Sequence, residues 1–139
     1  MAVVDLAEPA LASAQERLAN RAADVDWIIG DVTTELLAPD SVDFWHDRAV
    51  FHFLTAASPR AAYLAQVHRA VKPGGHVMVA TFGLDGPERC SGLPVARYDA
   101  QGIHATFGDV FEKVGEANEQ HQTPWGATQS FVYCFCRRR

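Results

Sequence analysis

Apolar residues recur along this chain with two periods, one of strands and one of helices, and the two alternate. Ala2 to Leu6 is a short strand-like run containing Val3-Val4 and Asp5. Pro9 follows where a first helical turn tolerates a missing N–H, and Leu11, Ala14 and Leu18 then recur at helical spacing. Val25 to Ile29 is a second strand, broken by Gly30-Asp31, and Thr33 to Ser41 reads as a loop turning at Pro39-Asp40. Val42 to Trp45 is a third strand, ending in His46-Asp47-Arg48. The next helix is expected to have Ser58 as its N-cap, Pro59 as its first residue and an apolar stripe of Leu64, Val67 and Val71. Lys72-Pro73-Gly74-Gly75 stops it, and His76 to Phe82 is a fourth strand.

Gly83 to Pro94 reads as a loop, and a short helix carrying Ile103 and Phe107 is expected after Asp99. Two final strands, near Phe111 to Gln120 and Gln129 to Cys136, flank the turn Thr123-Pro124-Trp125-Gly126. Strands separated by helices imply an α/β domain with a mostly parallel sheet flanked by helices. The last two strands are joined too closely to run parallel, so they form a C-terminal antiparallel hairpin at one edge.

Composition then bounds the class. The chain has 139 residues and 48% hydrophobic content, which suits a single domain over residues 1–139 with its own core. Its 12 Lys and Arg against 17 Asp and Glu give a net charge of −5, which argues against nucleic acid as a partner. No apolar run is long enough to span a membrane, and the first residues lack the pattern of a signal peptide. Three cysteines, Cys90, Cys134 and Cys136, suit a reducing compartment, so a cytoplasmic location is expected. No second Cys or His pair stands at a zinc spacing from Cys134 and Cys136, so no metal is expected and packing is their reading. Trp27, Trp45 and Trp125 are likewise assigned to packing.

Ligands of open parallel sheets sit beyond the carboxyl ends of the strands. Asp5, Asp31, His46-Asp47-Arg48 and the loop after Phe82 fall there. A strand-end carboxylate can accept from a diol or from an amine, although an Asp after a strand is also a common turn residue.

The order of these segments carries a resemblance. Asp5-Leu6-Ala7-Glu8-Pro9-Ala10-Leu11, Gly30-Asp31-Val32, Val42-Asp43-Phe44-Trp45, Phe51-His52-Phe53-Leu54 and Val71-Lys72-Pro73-Gly74-Gly75 resemble successive motifs of the class I S-adenosylmethionine-dependent methyltransferases. The resemblance implies a Rossmann-like sheet, S-adenosylmethionine as cofactor and a small-molecule acceptor. It implies that Asp5 binds the ribose hydroxyls, Leu6 packs on the adenine, Asp31 accepts from the adenine amine and the Val32 N–H meets a ring nitrogen. His46 and Asp47 are its expected catalytic residues, with Asp47 also bordering the cofactor. His52, Phe82 and Arg89 are expected to face the substrate, and His46 and His52 are the candidates for a base if the acceptor must lose a proton.

Two departures accompany it. Ala7 stands where the family usually has a Ser. The family's first strand and its Asp-x-Gly-x-Gly-x-Gly loop have no counterpart before Asp5, so the chain is expected to lack an opening strand-loop-helix unit, on the order of 30 residues. That would leave unpaired strand edges, through which a second copy of the chain is an expected partner. The alternatives are a non-catalytic remnant of this fold that binds or self-pairs, and a nicotinamide-dependent dehydrogenase, whose ribose acid Asp5 also fits. The Lys-Pro-Gly-Gly step and the terminal hairpin favour the methyltransferase over the dehydrogenase.

Overall fold

The computed structural model describes residues 1–34 and 36–139; Glu35, within the predicted Thr33–Ser41 loop, lies outside the described residues. The chain forms two compact units, Met1–Leu36 and Leu37–Arg139.

The first unit is a strand-helix-strand motif. Strand β1 (Ala2–Asp5) pairs in parallel with β2 (Asp26–Ile29), in the register Ala2↔Asp26 to Asp5↔Ile29. Between them runs helix α1 (Glu8–Leu18), with Leu11 buried and Ala14 and Leu18 half-buried on the predicted stripe. Its N-cap, Ala7, has no side-chain oxygen to offer the first turn. Glu8 in the first turn and Arg17 in the last still complement the helix dipole. A 3₁₀ turn, Ala19–Asp24, leads into β2, and its Ala22 carbonyl accepts the Trp27 indole N–H at 2.9 Å.

The second unit is a four-stranded sheet in which β3 (Val42–Arg48) and β4 (Val71–Phe82) run parallel, while β8 (Thr128–Arg138) runs antiparallel to both β4 and β7 (Phe111–Gln122). The strand order is β3-β4-β8-β7, so β4 and β8 are paired on both sides. Helix α2 (Ala57–Ala70) connects β3 to β4, and α3 (Ala100–Phe107) precedes the hairpin. Tyr63, Val67, Val77, Val79, Ile103, Phe107 and Phe111 are buried in this unit, and each such side chain contributes roughly 1.5–3 kcal/mol. Within their units, β1 pairs only with β2 and β3 only with β4, so each has one unpaired edge among the described residues.

Four details differ from the sequence reading. Strand β3 continues through His46, Asp47 and Arg48, because these residues pair with Met78, Val79 and Ala80 of β4. Helix α2 begins two residues earlier than expected, with Ala56 as its N-cap and Pro59 as its third residue, where the N–H has no intrahelical partner in any case, and it ends at Ala70, so Val71 opens β4 instead of joining the helix stripe. Lys72-Pro73-Gly74-Gly75 does not precede the fourth strand but loops out within it, between the pairs Val42↔Val71 and Phe44↔His76. Gly74 there has φ of 80°, and a Cβ on Gly75 would lie 2.9 Å from the Lys72 carbonyl oxygen. Finally, the Gly83–Pro94 loop contains a small hairpin, β5 (Arg89–Cys90) with β6 (Leu93–Pro94), turned by Ser91 and Gly92 at φ of 51° and 78°.

Helix α3 is as expected: Asp99 caps it by accepting the Gly102 N–H at 2.6 Å, and Gly108 ends it at φ of 73°. The terminal hairpin also forms, with longer arms than predicted. Its tip projects past Phe82↔Phe131, the last β4–β8 pair, and Trp125 at that tip is 84% exposed, not packed as the sequence reading had it.

Candidate functional site

Strands that run parallel end at the same edge, and in the first unit that edge collects two carboxylates. Asp5 is the last residue of β1; Asp31 lies two residues beyond β2, and the Gly30 N–H donates to the Asp5 carbonyl at 3.0 Å. Each carboxylate is anchored through one oxygen. Asp5 Oδ1 accepts the Ala7 N–H at 2.8 Å, and Asp31 Oδ1 accepts the Thr33 hydroxyl at 2.7 Å and the Thr33 N–H at 2.8 Å. The Thr33 hydroxyl and N–H hold the Asp31 carboxyl below its ordinary range. The second oxygen of each acid has no partner among the described residues and both side chains are exposed. Leu6, next to Asp5, is 71% exposed, while Val32 is half-buried. Two free carboxylate oxygens beside an exposed apolar side chain can take a ligand with a hydroxylated part and a flat apolar part.

In the second unit, side chains alternate along β3, so His46 and Asp47 face opposite sides. His46 is exposed, with the Phe44 ring 6.3 Å away. Asp47 is buried and fully engaged: Oδ1 accepts the Val50 N–H at 3.0 Å, and Oδ2 accepts the Phe51 N–H at 3.1 Å and the Tyr63 hydroxyl at 2.6 Å. The Tyr63 oxygen in turn accepts the Trp45 indole N–H at 3.0 Å. Burial pushes the Asp47 carboxyl above its ordinary range against the pull of these donors, and burial with the adjacent carboxylate raises the Tyr63 phenol well above its own. Between Asp47 and its donors sits Ala49, whose φ of 66° is unusual for a residue with a Cβ and costs on the order of 1–3 kcal/mol.

His52 lies in the 3₁₀ turn Phe51–Phe53 that follows β3 and is completely buried. Its Nδ1 accepts the Phe82 N–H at 3.2 Å, which places the ring proton on Nε2, and Nε2 has no hydrogen-bond partner among the described residues. Burial pushes its pKa down to about 4. Phe82 is buried at the end of β4, its ring 4.8 Å from His52 and 4.9 Å from Phe131. Arg89 spends a guanidinium N–H on the Gly92 carbonyl, 2.8 Å across the turn of its own hairpin. Arg48, on the opposite face from Asp47, donates to Tyr133 at 3.0 Å and to Glu119 at 2.8 Å, and lies 4.1 Å over the Phe131 ring. A cavity of about 240 Å³ opens beyond β4, lined among others by Gly83, Leu84, Asp85, Tyr98 and Ser130.

The structure thus joins Asp5 with Asp31 and His52 with Phe82, and separates His46 from Asp47. Tyr63, which ties Asp47 to Trp45, was not singled out from the sequence, although Tyr63, Val67 and Ala70 share one helical stripe that could have flagged it. Cys134 and Cys136 are buried on one face of β8 with their sulfurs 3.6 Å apart. Among the described residues no group of three or more His, Cys, Asp or Glu is arranged to hold a metal, and no helix is long and apolar enough to cross a membrane.

Residues 1–75, more than half of the chain, match a family model described as a methyltransferase domain. No curated protein matches the sequence. Among solved structures, an S-adenosylmethionine-dependent methyltransferase of Methanosarcina mazei is similar with a TM-score of 0.73 at 14% identity, over 99% of this chain and 81% of that one. An N-methyltransferase of Bradyrhizobium japonicum is similar with a TM-score of 0.75 at 17% identity, over 99% of this chain and 72% of that one. The 1,6-didemethyltoxoflavin-N1-methyltransferase of Burkholderia thailandensis, solved with 1,6-didemethyltoxoflavin and S-adenosylhomocysteine, gives a TM-score of 0.69 at 22% identity, over 99% of this chain and 60% of that one.

Two outcomes are expected from the buried groups. Replacing Tyr63 by Phe leaves the Trp45 indole N–H without its acceptor and Asp47 Oδ2 without its shortest donor. Urea unfolding should therefore show a loss of about 1–3 kcal/mol, and a change within about 0.5 kcal/mol would contradict the network. His52 has its folded pKa below its ordinary value, so between about 4 and 6.5 the unfolded chain binds a proton that the native chain does not. Stability should fall as pH is lowered through that window. His68, also depressed by burial, acts in the same direction and Asp47 in the opposite one, so the comparison is with His52→Asn, whose pH profile should be flatter than the native by up to one proton. Superimposable profiles would contradict a depressed His52.

Proposed function

This chain belongs to the class I S-adenosylmethionine-dependent methyltransferases, with a family match over residues 1–75, and from that premise we propose that it transfers the methyl group to a small-molecule acceptor. The observation that carries the reading is the pair Asp5 and Asp31. They stand at one edge of adjoining parallel strands, each with one oxygen fixed by a local donor and the other open. The cofactor is S-adenosylmethionine, and the residues present fit its adenosine half: Asp5 would hold the ribose hydroxyls, Asp31 the adenine amine, and Leu6 and Val32 the ring. No stretch of the 139 residues reads Asp-x-Gly-x-Gly-x-Gly, the loop that would wrap the methionine half.

When bound, S-adenosylmethionine supplies an already activated methyl group, which leaves the protein the tasks of alignment and exclusion of water. For an acceptor that must lose a proton, His46 is the exposed imidazole at the end of β3 and is assigned as the base. Asp47, whose oxygens are occupied by Val50, Phe51 and Tyr63, serves by fixing the turn after β3. Phe82 ends β4 and the Arg89 hairpin stands on the segment that follows, where the two would border the acceptor.

The test is a titration of the ¹⁵N-labelled chain with S-adenosylhomocysteine and, separately, with adenosine and with methionine. The amides of Leu6, Ala7, Val32 and Thr33 should shift with the first two ligands and not with methionine. Asp5→Asn and Asp31→Asn should each weaken binding by about tenfold, the size of one charge-assisted hydrogen bond. Amides at Leu6 and Thr33 that stay in place with S-adenosylhomocysteine would overturn the assignment.

A further inference from the structure

We propose that His52 is a positioning residue whose imidazole stands in for a missing row of the β3–β4 ladder and so sets the spacing between the carboxyl ends of these two strands. Calling that gap the acceptor side rests on the function proposed above; the positioning itself does not.

The inference begins with strand geometry. Along β4, backbone groups turn alternately towards β3 and towards β8. Gly83 donates its N–H to Ser130 of β8, and the Ala80 carbonyl accepts from Ala49, at the end of β3. By alternation, the N–H and carbonyl of Phe82 turn to the β3 side. Strand β3 has already ended there, since its last pair is Arg48↔Ala80. A buried N–H at this place needs an acceptor, and no strand supplies one. His52 Nδ1 does so at 3.2 Å, while the Phe82 carbonyl takes the Tyr98 N–H at 3.1 Å.

The same residue fastens a third segment. The His52 carbonyl accepts the Ala96 N–H at 2.8 Å, two residues from the Tyr98 amide held by Phe82. His52 therefore joins the turn after β3, the end of β4 and the chain leading into α3. The start of the turn is fixed separately by Asp47, through Val50 and Phe51, and by the Ala49 N–H on Ala80. The two arrangements divide the work: Asp47 shapes the turn, and His52 sets its distance from β4.

The surroundings argue that the ring is present for its acceptor nitrogen. The Phe53 and Phe82 rings stand 4.8 Å from it at 89° and 62°, an apolar setting in which Nε2 goes without a partner. An apolar side chain would fill this space without stranding an N–H, but would leave the Phe82 N–H unpaired. Burial also keeps the ring neutral, with a pKa of about 4, which Nδ1 needs in order to accept.

Hydrogen exchange on the full chain, with no cofactor or acceptor present, tests this separately from the proposed function. In His52→Leu the Phe82 amide should exchange about tenfold faster, and the Tyr98 amide should follow it. In His52→Asn, where Oδ1 can take the place of Nδ1, protection should return to within about threefold of the native chain. If the imidazole were only a filler, Leu would protect Phe82 as well as Asn does, and that result would overturn the proposal. Should His52→Leu fail to fold, ¹⁵N spectra of the native imidazole decide the matter. An unprotonated, hydrogen-bonded Nδ1 with the proton on Nε2 supports the proposal, and a protonated Nδ1 refutes it.

Discussion

Parallel pairing is the constraint on which the rest of this structure depends. Two strands that run the same way must be joined by a crossover, and they deliver their carboxyl ends to one edge. In the first unit this places Asp5 and Asp31 together; in the second it places the Asp47 turn and Phe82 together. The antiparallel part does different work. Strand β8 closes the open side of β4 with seven successive pairs, His76↔Arg137 to Phe82↔Phe131, so that the strand carrying Phe82 is held rigidly on that side.

Three aspartates near strand ends show how environment separates residues of one type. Asp31 is exposed and receives two bonds from Thr33, which favour its charge and leave its second oxygen open. Asp5 follows the same plan with one bond from Ala7. Asp47 is buried, and both of its oxygens accept donors from within the protein, three in all. Open acceptor oxygens and local architecture are thus divided between exposed and buried carboxylates.

Much of this was legible in the residues. Helix α3 begins after Asp99 and carries Ile103 and Phe107, as an Asp ahead of apolar residues at helical spacing implies. The alternation of Phe131 to Cys136 marks a strand, and the order of the motifs carries the methyltransferase family. Other features depend on residues far apart in the chain. Arg48 meets Glu119 across 71 positions, and His52 meets Phe82 across 30; neither pairing follows from local periodicity. Strand β3 extends to Arg48 only because β4 offers partners there, and polar residues such as His46 and Asp47 conceal it. The β5–β6 hairpin is hidden for a similar reason, since strands of two residues have no period to detect.

The most direct measurement is a crystal structure of this chain grown or soaked with S-adenosylhomocysteine. The account predicts the ribose hydroxyls within hydrogen-bond distance of the Asp5 carboxylate, the adenine amine on Asp31, and the ring against Leu6. Density for the adenosine at another place on the molecule, with Asp5 and Asp31 both free, would contradict it.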